Sequence, residues 1–319
     1  MFVLRDGDVS APSDRPTAAA VGVFDGLHLG HQKVIGQVTE IAREREWSST
    51  VVTFDPHPAW VLAPDRAPRL LGTLDQRLEG LAALGVERVR ILHFDQRLAS
   101  ESALEFVERV LVAELHAGAV VVGQDFRFGH ERVGDVALLA EEGRRRGFDV
   151  VAAPIYGAAA RWSSTVVREA LLAGDLELAT ATLGRPFTMR GTVVHGDARG
   201  ADLGYPTANL ALAERQLVPR EGIYASAVRT ISRAWWPAAV SIGTRPQFYE
   251  DGALLVEVHL PGFAGDLYDT VLDVAFSTRL RGQATFAGVP ELVAQISRDV
   301  EQTIEIFKKF SPAASALLE

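Results

Sequence analysis

The sequence predicts two domains of different class: an α/β domain with a parallel, Rossmann-like sheet, then a small antiparallel β-barrel with a C-terminal helix. Three observations lead there. Between residues ~17 and ~160, short apolar runs alternate with helical stretches, the pattern of a parallel sheet covered by helices. From about Thr188, β-branched and aromatic runs follow one another with only Gly, Pro and Asp turns between them, the texture of a barrel or sandwich. Finally, Val289–Phe307 sets Leu292, Val293, Ile296, Val300, Ile304 and Ile306 along one helical stripe, with Pro290 in its first turn.

In chain order, strands are expected at Ala18–Val23, Ser49–Phe54, Arg88–Phe94, Ala119–Gly123 and Asp149–Pro154. Helical patterns fill the gaps at Gln32–Arg45, Leu74–Leu84, Ala103–Leu115 and Asp135–Arg146. Ser164–Leu183 reads as one or two helices that stop near Gly184-Arg185-Pro186, where a glycine and a proline end a helix. That joint sets the expected boundary: domain one is 1–183 and domain two is 184–319. Barrel strands are expected at Met189–Val194, Ile223–Val228, Ala238–Ile242, Leu254–Leu260 and Val271–Phe276.

Composition narrows the function. A chain of 319 residues suits two ordinary domains, and 48% hydrophobic with 23% charged residues is a soluble globular composition. No apolar run reaches the ~20 residues that cross a bilayer, and the acidic start around Asp6 and Asp8 is unlike a secretory leader. No membrane partner is expected. A net charge of −9 argues against nucleic acid as a partner, because such binding rests on Lys and Arg neutralising phosphate. Arg144-Arg145-Arg146, following Glu141-Glu142, reads as a solvated helix face. The absence of cysteine excludes disulfides, thiolate catalysis and Cys-ligated metals, and it fits a cytoplasmic location. Oligomeric state is left open.

Ligands of parallel sheets sit at the carboxyl ends of the strands, so the polar clusters there carry the chemistry. The first is the run Gly22-Val23-Phe24-Asp25-Gly26-Leu27-His28-Leu29-Gly30-His31. Gly22 and Gly26 let backbone approach a phosphate, while His28 and His31 offer donors where negative charge develops on an attacked phosphorus. Asp55 and His57, in Asp55-Pro56-His57-Pro58, end a strand where a carboxylate or imidazole faces ligand or Mg²⁺. Asp125, Phe126, Arg127 and Phe128 follow another strand, offering a ring for stacking and a guanidinium for phosphate. Ser163-Ser164-Thr165 precedes a helix, with Arg168 one turn inside, and can grip a second phosphate. Taken singly, each has a plainer reading as a helix cap, a core aromatic or a rigid loop.

Read together and in order, these motifs resemble the prokaryotic bifunctional riboflavin kinase/FAD synthetase family, an FMN adenylyltransferase of nucleotidylyltransferase type joined to a flavokinase barrel. The second half carries the rest of the resemblance: Gly191-Thr192-Val193-Val194-His195-Gly196, Leu203-Gly204-Tyr205-Pro206-Thr207-Ala208-Asn209, Glu221-Gly222-Ile223-Tyr224, Val256-Glu257-Val258-His259 and Leu280-Arg281. The likeness runs over about residues 17–307. It implies ATP as co-substrate, Mg²⁺, riboflavin and FMN as substrates and FAD as product. His28, His31 and Glu257 would be catalytic, Glu257 as acceptor of the flavin 5′-hydroxyl proton. Nucleotide would be held by Gly22, Phe24, Asp25, Gly26, Gly30, Ser163, Ser164, Thr165, Arg168, Gly196 and Pro206. Flavin would be held by Asp55, His57, Pro58, Asp125, Phe126, Arg127, Phe128 and Arg281, and Mg²⁺ by Thr207 and Asn209.

Five positions depart from the family pattern, all in the kinase half: Ala201 for Arg, Arg245 for Asn, Gln247 for Thr, Asp269 for Gly and Gln283 for Glu. They leave open a specialised paralogue that adenylylates a modified flavin or another phosphorylated metabolite while its kinase half has lapsed. A flavin sensor without turnover is a third reading, opposed by the intact histidines, Thr207, Asn209 and Glu257. Class I aminoacyl-tRNA synthetases share a similar His-x-Gly-His, but the acidic charge speaks against tRNA.

Overall fold

A computed structural model describes residues 1–8, 15–157, 161–196, 199–230, 234–244 and 254–309. Two compact units divide the chain. Among the described residues, the first holds Met1–Arg69 and Leu74–Ser163; the second holds Leu70–Thr73 and residues 164–309.

The first unit is built on β1 (Phe2–Leu4), β2 (Thr17–Val21), β3 (Ser48–Asp55), β4 (Arg88–His93), β5 (Ala117–Gly123) and β6 (Asp149–Ala153). They form one six-stranded sheet in the order β1-β4-β3-β2-β5-β6, every pair parallel. Parallel strands need crossovers, supplied by α1 (Leu29–Arg45), α2 (Pro58–Leu62), α3 (Leu74–Ala83), α4 (Gln96–Ser100), α5 (Ala103–Phe106) and α6 (Val136–Arg146). Helices on both faces bury the strands, which is why β2 is apolar apart from its first residue and buried at all five positions. Two apolar clusters fill the faces, one around Val52, Phe106, Val110 and Leu139, the other around Ile35, Val38, Leu81 and Val89. The helix expected at Ala103–Leu115 is α5 followed by π-helical winding over Val107–Glu114. β1 was not expected: three residues are too few to show a period.

The second unit opens with α7 (Ser164–Ala173) and α8 (Leu176–Leu183). Then come β7 (Thr188–Val194), α9 (Arg199–Asp202), β8 (Ala208–Leu212), β9 (Gly222–Arg229), β10 (Trp235–Thr244), β11 (Leu254–His259), β12 (Val271–Arg281) and α10 (Val289–Phe307). The six strands close into an antiparallel barrel in the order β10-β11-β8-β7-β12-β9, and α10 packs across β9 and β10. The seam between units falls at Ser163/Ser164, ahead of the 183/184 boundary expected from the sequence. The reason is packing: Val167, Leu171, Leu176 and Leu183 join the same apolar cluster as Met189, Tyr224, Val240 and Phe276 of the barrel.

One charged cluster lies within this unit's strands. Asp273 of β12 is 5% exposed, opposite Arg190 of β7 and Arg229 of β9. Its carboxylate accepts from Arg190 at 2.7 and 2.9 Å and from Arg229 at 2.7 Å. Burial pushes the carboxyl up, but the hydrogen bonds and charges of the two arginines prevail and hold it below the usual carboxylate range. Asp273→Asn leaves two guanidiniums without their anion, so the barrel should lose about 3–5 kcal/mol, read by chemical unfolding at neutral pH. Because the folded pKa is depressed, this stabilisation is complete above the unfolded value of ~4 and disappears as pH falls through the folded one. The Asn variant should lack that acid step.

Candidate functional site

In the first unit, β2 pairs with both β3 and β5, so the carboxyl ends of these three strands lie together. The sheet grows from β2 through β3 to β4 on one side and through β5 to β6 on the other. The order therefore reverses at β2/β5, the switch point where doubly wound sheets open a ligand crevice. Three of the expected motifs emerge there: residues 22–31 after β2, 55–58 after β3 and 123–128 after β5.

The turn after β2 has an uncommon backbone. Phe24, Gly26 and Leu27 all have positive φ, at 54°, 77° and 45°. For a side chain other than glycine that conformation costs roughly 1–2 kcal/mol, so the surroundings must hold it. The Gly22 N–H donates to the Val52 carbonyl at 3.0 Å, and the Thr53 hydroxyl donates to the Val23 carbonyl at 3.1 Å. Downstream, the Gln32 side-chain amide donates to the Leu27 carbonyl at 2.8 Å. The Phe24 ring lies close over Gly22: a Cβ there would stand 3.0 Å from the ring, which would have to shift to admit it. Phe24, Asp25 and His28 are all buried.

His28 is the N-cap of α1. Its Nδ1 accepts the His31 backbone N–H at 3.3 Å, which assigns the proton of the neutral ring to Nε2. The two imidazoles stack with centroids 3.6 Å apart, and the Phe24 ring meets His31 edge-on at 5.2 Å. Beside α1's N-terminus, the two imidazoles form an arrangement suited to phosphate.

β3 ends at Asp55, followed by a cis bond to Pro56. His57 caps α2 through Nδ1, which accepts the Ala59 N–H at 3.0 Å, and Pro58 takes the first helical position. Trp60 lies 6.3 Å from His57 and donates its indole N–H to the Pro68 carbonyl at 3.1 Å. After β5, Asp125 pairs with Arg161, and Arg127 pairs with Asp135 at 3.1 Å. Phe126 stacks on Phe128 at 5.4 Å; Phe128 is buried against Phe106 and so backs Phe126 from the core. Of the remaining motif, Ser163 closes the first unit, whereas Ser164, Thr165 and Arg168 open α7 in the second.

Arg77, Trp60 and Arg161 escaped the sequence reading. Arg77 of α3 is 5% exposed and donates to the Thr53 hydroxyl at 3.2 Å and the Phe54 carbonyl at 3.1 Å. Burial draws its pKa down, and the Asp25 and Asp55 carboxylates push it back up. Nothing in the sequence separates it from a solvated helix arginine.

In the second unit, Asn209 of β8 stands opposite Val194 of β7 and Glu257 of β11, and Glu257 stands opposite Ser241 of β10. Directly paired residues share a sheet face, so Asn209, Glu257 and Ser241 form a row on the side away from core residues Val256 and Val258. Gln283 ends the row, donating to the Ile242 carbonyl at 2.8 Å and the Ser241 hydroxyl at 3.4 Å. Two glycines allow close packing around Asn209 and Thr207. A Cβ on Gly196 would overlap the Asn209 amide at 2.0 Å, and one on Gly200 would stand 2.4 Å from the Tyr205 carbonyl and 3.3 Å from Thr207 Oγ1. The Pro206 carbonyl accepts from His259 Nδ1 at 2.8 Å, which fixes the loop that carries Thr207. Arg281 lies elsewhere: its guanidinium is held by Asp299 of α10 at 2.7 Å, tying that helix to β12.

Two departures preserve local structure. Asp269 has φ 60°, the backbone that a glycine would adopt, and aspartate is among the residues that tolerate it. Gln283 uses its N–H on a backbone carbonyl, which a carboxylate could not do. Arg245 and Gln247 fall outside the described residues, as does the side chain of Ala201.

Residues 10–166 match the FAD synthetase family model, and residues 183–307 match the riboflavin kinase model. A bifunctional riboflavin kinase/FMN adenylyltransferase of Pseudomonas fluorescens is 43% identical over 91% of this chain and 92% of its own. The Escherichia coli (strain K12) protein of the same name is 40% identical over 92% and 93%. The chain belongs to the bifunctional riboflavin kinase/FMN adenylyltransferase family. A crystal structure titled a macrolide-efflux protein from Streptococcus pneumoniae is also similar, at 30% identity and TM-score 0.85, covering 98% of this chain and all of that one. Among the described residues, no helix is long and apolar enough to cross a membrane.

The cap geometry makes His28 a contributor to stability. His28→Ala removes the acceptor for the His31 N–H and should cost about 0.5–2 kcal/mol of stability in thermal unfolding. His28→Asn, which still accepts that bond, should recover most of the loss without restoring an imidazole.

Proposed function

We propose that this chain carries out both transfers of FAD formation. The second unit phosphorylates riboflavin to FMN with ATP, and the first transfers the adenylyl group of a second ATP to FMN. The observation that carries this reading is the pairing of two constellations in one chain. The first is the stacked His28–His31 pair at the switch point; the second is the Asn209–Glu257–Ser241 row beside its two glycines.

In adenylyl transfer, an FMN phosphate oxygen attacks the α-phosphorus, the bond to the bridging oxygen breaks, and pyrophosphate leaves. The nucleophile is already anionic, so the chain needs to supply position and charge stabilisation rather than a base. We assign the N–H edges of His28 and His31, with the backbone of Gly22, Gly26 and Gly30, to the ATP phosphates. Phe24 and Asp25 shape the same turn, and Ser163, Ser164, Thr165 and Arg168 are assigned to nucleotide as well. Flavin is assigned to Asp55, His57, Pro58, Asp125, Phe126 and Arg127, with Phe128 behind Phe126. Residues 1–183 are taken as the adenylyltransferase and 184–319 as the kinase.

In phosphorylation, Glu257 accepts the proton of the riboflavin 5′-hydroxyl as the hydroxyl oxygen attacks the γ-phosphorus, the bond to the β–γ bridging oxygen breaks, and ADP leaves. Gly196 and Pro206 border the nucleotide, and Arg281 positions α10 beside the flavin. The donor set suits Mg²⁺: Thr207 Oγ1 and the Asn209 amide oxygen are hard ligands, each packed against a glycine where a Cβ would crowd it. Among the described residues no cluster of three or more His, Cys, Asp or Glu forms a metal cage, in keeping with an ion that arrives on ATP phosphates. Bound there, Mg²⁺ would neutralise charge on the transferred phosphoryl group. A cytoplasmic location accords with the cysteine-free composition.

Incubation with riboflavin, ATP and Mg²⁺, followed by separation of the flavins, should yield FMN and then FAD; absence of both products would refute the proposal. His31→Ala should lower FAD formation from supplied FMN by ~10²-fold and leave riboflavin phosphorylation intact. Equal loss of both activities in a folded protein would defeat the two-site assignment. Glu257→Gln should lower phosphorylation by ~10²–10⁴-fold while FAD still forms from FMN. Normal phosphorylation by that variant would show that the carboxylate is not the base.

A further inference from the structure

We propose that Arg77 is a positioning residue for adenylyl transfer: its buried guanidinium joins the carboxyl end of β3 to the turn that carries His28 and His31, and sets a positive charge behind two carboxylates of that crevice. The inference rests on the assignment of adenylyl transfer to the first unit.

Arginine is among the residues least often buried, and Arg77 is 5% exposed in the middle of α3. One of its terminal nitrogens makes two bonds, to the Thr53 hydroxyl at 3.2 Å and the Phe54 carbonyl at 3.1 Å. The Thr53 hydroxyl in turn donates to the Val23 carbonyl at 3.1 Å. A single relay, Arg77 to Thr53 to Val23, thus reaches from α3 through β3 to the residue that precedes the left-handed Phe24. Three residues of that turn have positive φ, so the turn depends on tethers of this kind. The Arg77 Nε–H finds no hydrogen-bond partner among the described residues, which leaves the NH1 bonds and the surrounding field to hold the group.

Charge acts alongside this tether. Asp25 is buried at the turn and Asp55 ends β3; both carboxylates act electrostatically on Arg77. ATP brings several negative charges to the same strand ends, and two uncompensated carboxylates there would oppose it. A guanidinium in the low-dielectric space behind them offsets that repulsion without occupying the crevice. Arg77 itself touches none of the groups assigned to the reacting phosphates.

The test uses the full chain with riboflavin phosphorylation as the internal control. Arg77→Met retains bulk and removes the charge and the donors; kcat/KM for FAD formation from FMN should fall at least tenfold, with a raised KM for ATP and a lowered kcat. Arg77→Lys, which keeps the charge, should recover the KM effect more than the kcat effect. Thr53→Val cuts the relay with an isosteric side chain and should lower kcat alone, and the double change Arg77→Met with Thr53→Val should be little worse than Arg77→Met. Phosphorylation of riboflavin should stay within twofold of the parent throughout. Should Arg77→Met fail to fold, Arg77→Lys and Thr53→Val still decide the matter. FAD formation at parental rates in both of them would overturn the proposal, as would strictly additive effects in the double variant. A parent chain that makes FMN but no FAD would instead refute the assignment of adenylyl transfer.

Discussion

Everything in the first unit's crevice depends on the chain turning through a left-handed backbone at the end of β2. Phe24, Gly26 and Leu27 have positive φ, and two of the three carry a Cβ that disfavours it. The turn persists because it is over-determined from several sides. Gly22 and Val23 are tied to β3, Gln32 holds Leu27 from α1, and the Phe24 ring fills the space that Gly22 leaves. That compression produces the functional geometry. Phe24 is pressed against His31, His31 is stacked on His28, and His28 caps the helix that the turn introduces. Strain, cap and candidate catalytic pair are one arrangement rather than three.

The barrel solves a different problem. Alternate residues of each strand point into a closed core, so the same strands present polar side chains on their outer face at no expense to packing. Val256 and Val258 fill the interior while Glu257 between them joins Asn209 and Ser241 outside. Cross-strand pairing sets that row, and a slip of one residue in β11 would turn Glu257 inward. The close fit of Asn209 to Gly196 and the Asp273–arginine cluster both constrain how the strands meet.

An acidic protein of net charge −9 that works on nucleotides and flavin phosphates cannot rely on a broad positive surface. Its cations are placed singly instead. Arg127 and Arg161 are each paired with a carboxylate near the end of β5, and Arg77 is buried within electrostatic reach of Asp25 and Asp55. Local donors of this kind select by position, so the field of the whole chain matters less than the few groups that reach the crevice.

The parallel sheet, the barrel and α10 are legible along the chain, because buried faces dictate continuous apolar runs in the sheet, short β-branched runs in the barrel and a helical stripe in α10. The sequence by itself also determined the turn of residues 22–31, where an apolar run breaks at glycines before a helix. Tertiary structure alone decided which elements belong together. β1 exists only through its pairing with β4, and β8 becomes a strand because β7 and β11 flank a Pro-Thr-Ala-Asn segment that shows no alternation. α7 and α8 are amphipathic on any reading, but an apolar stripe does not say which core it fills, and here it fills the barrel's. Arg77 and Arg281 look like ordinary surface arginines until Thr53, Phe54 and Asp299 are brought beside them. Periodicity and turn chemistry act over a few residues and can be read along the chain, whereas the partner of a buried charge is chosen by contacts dozens of residues away.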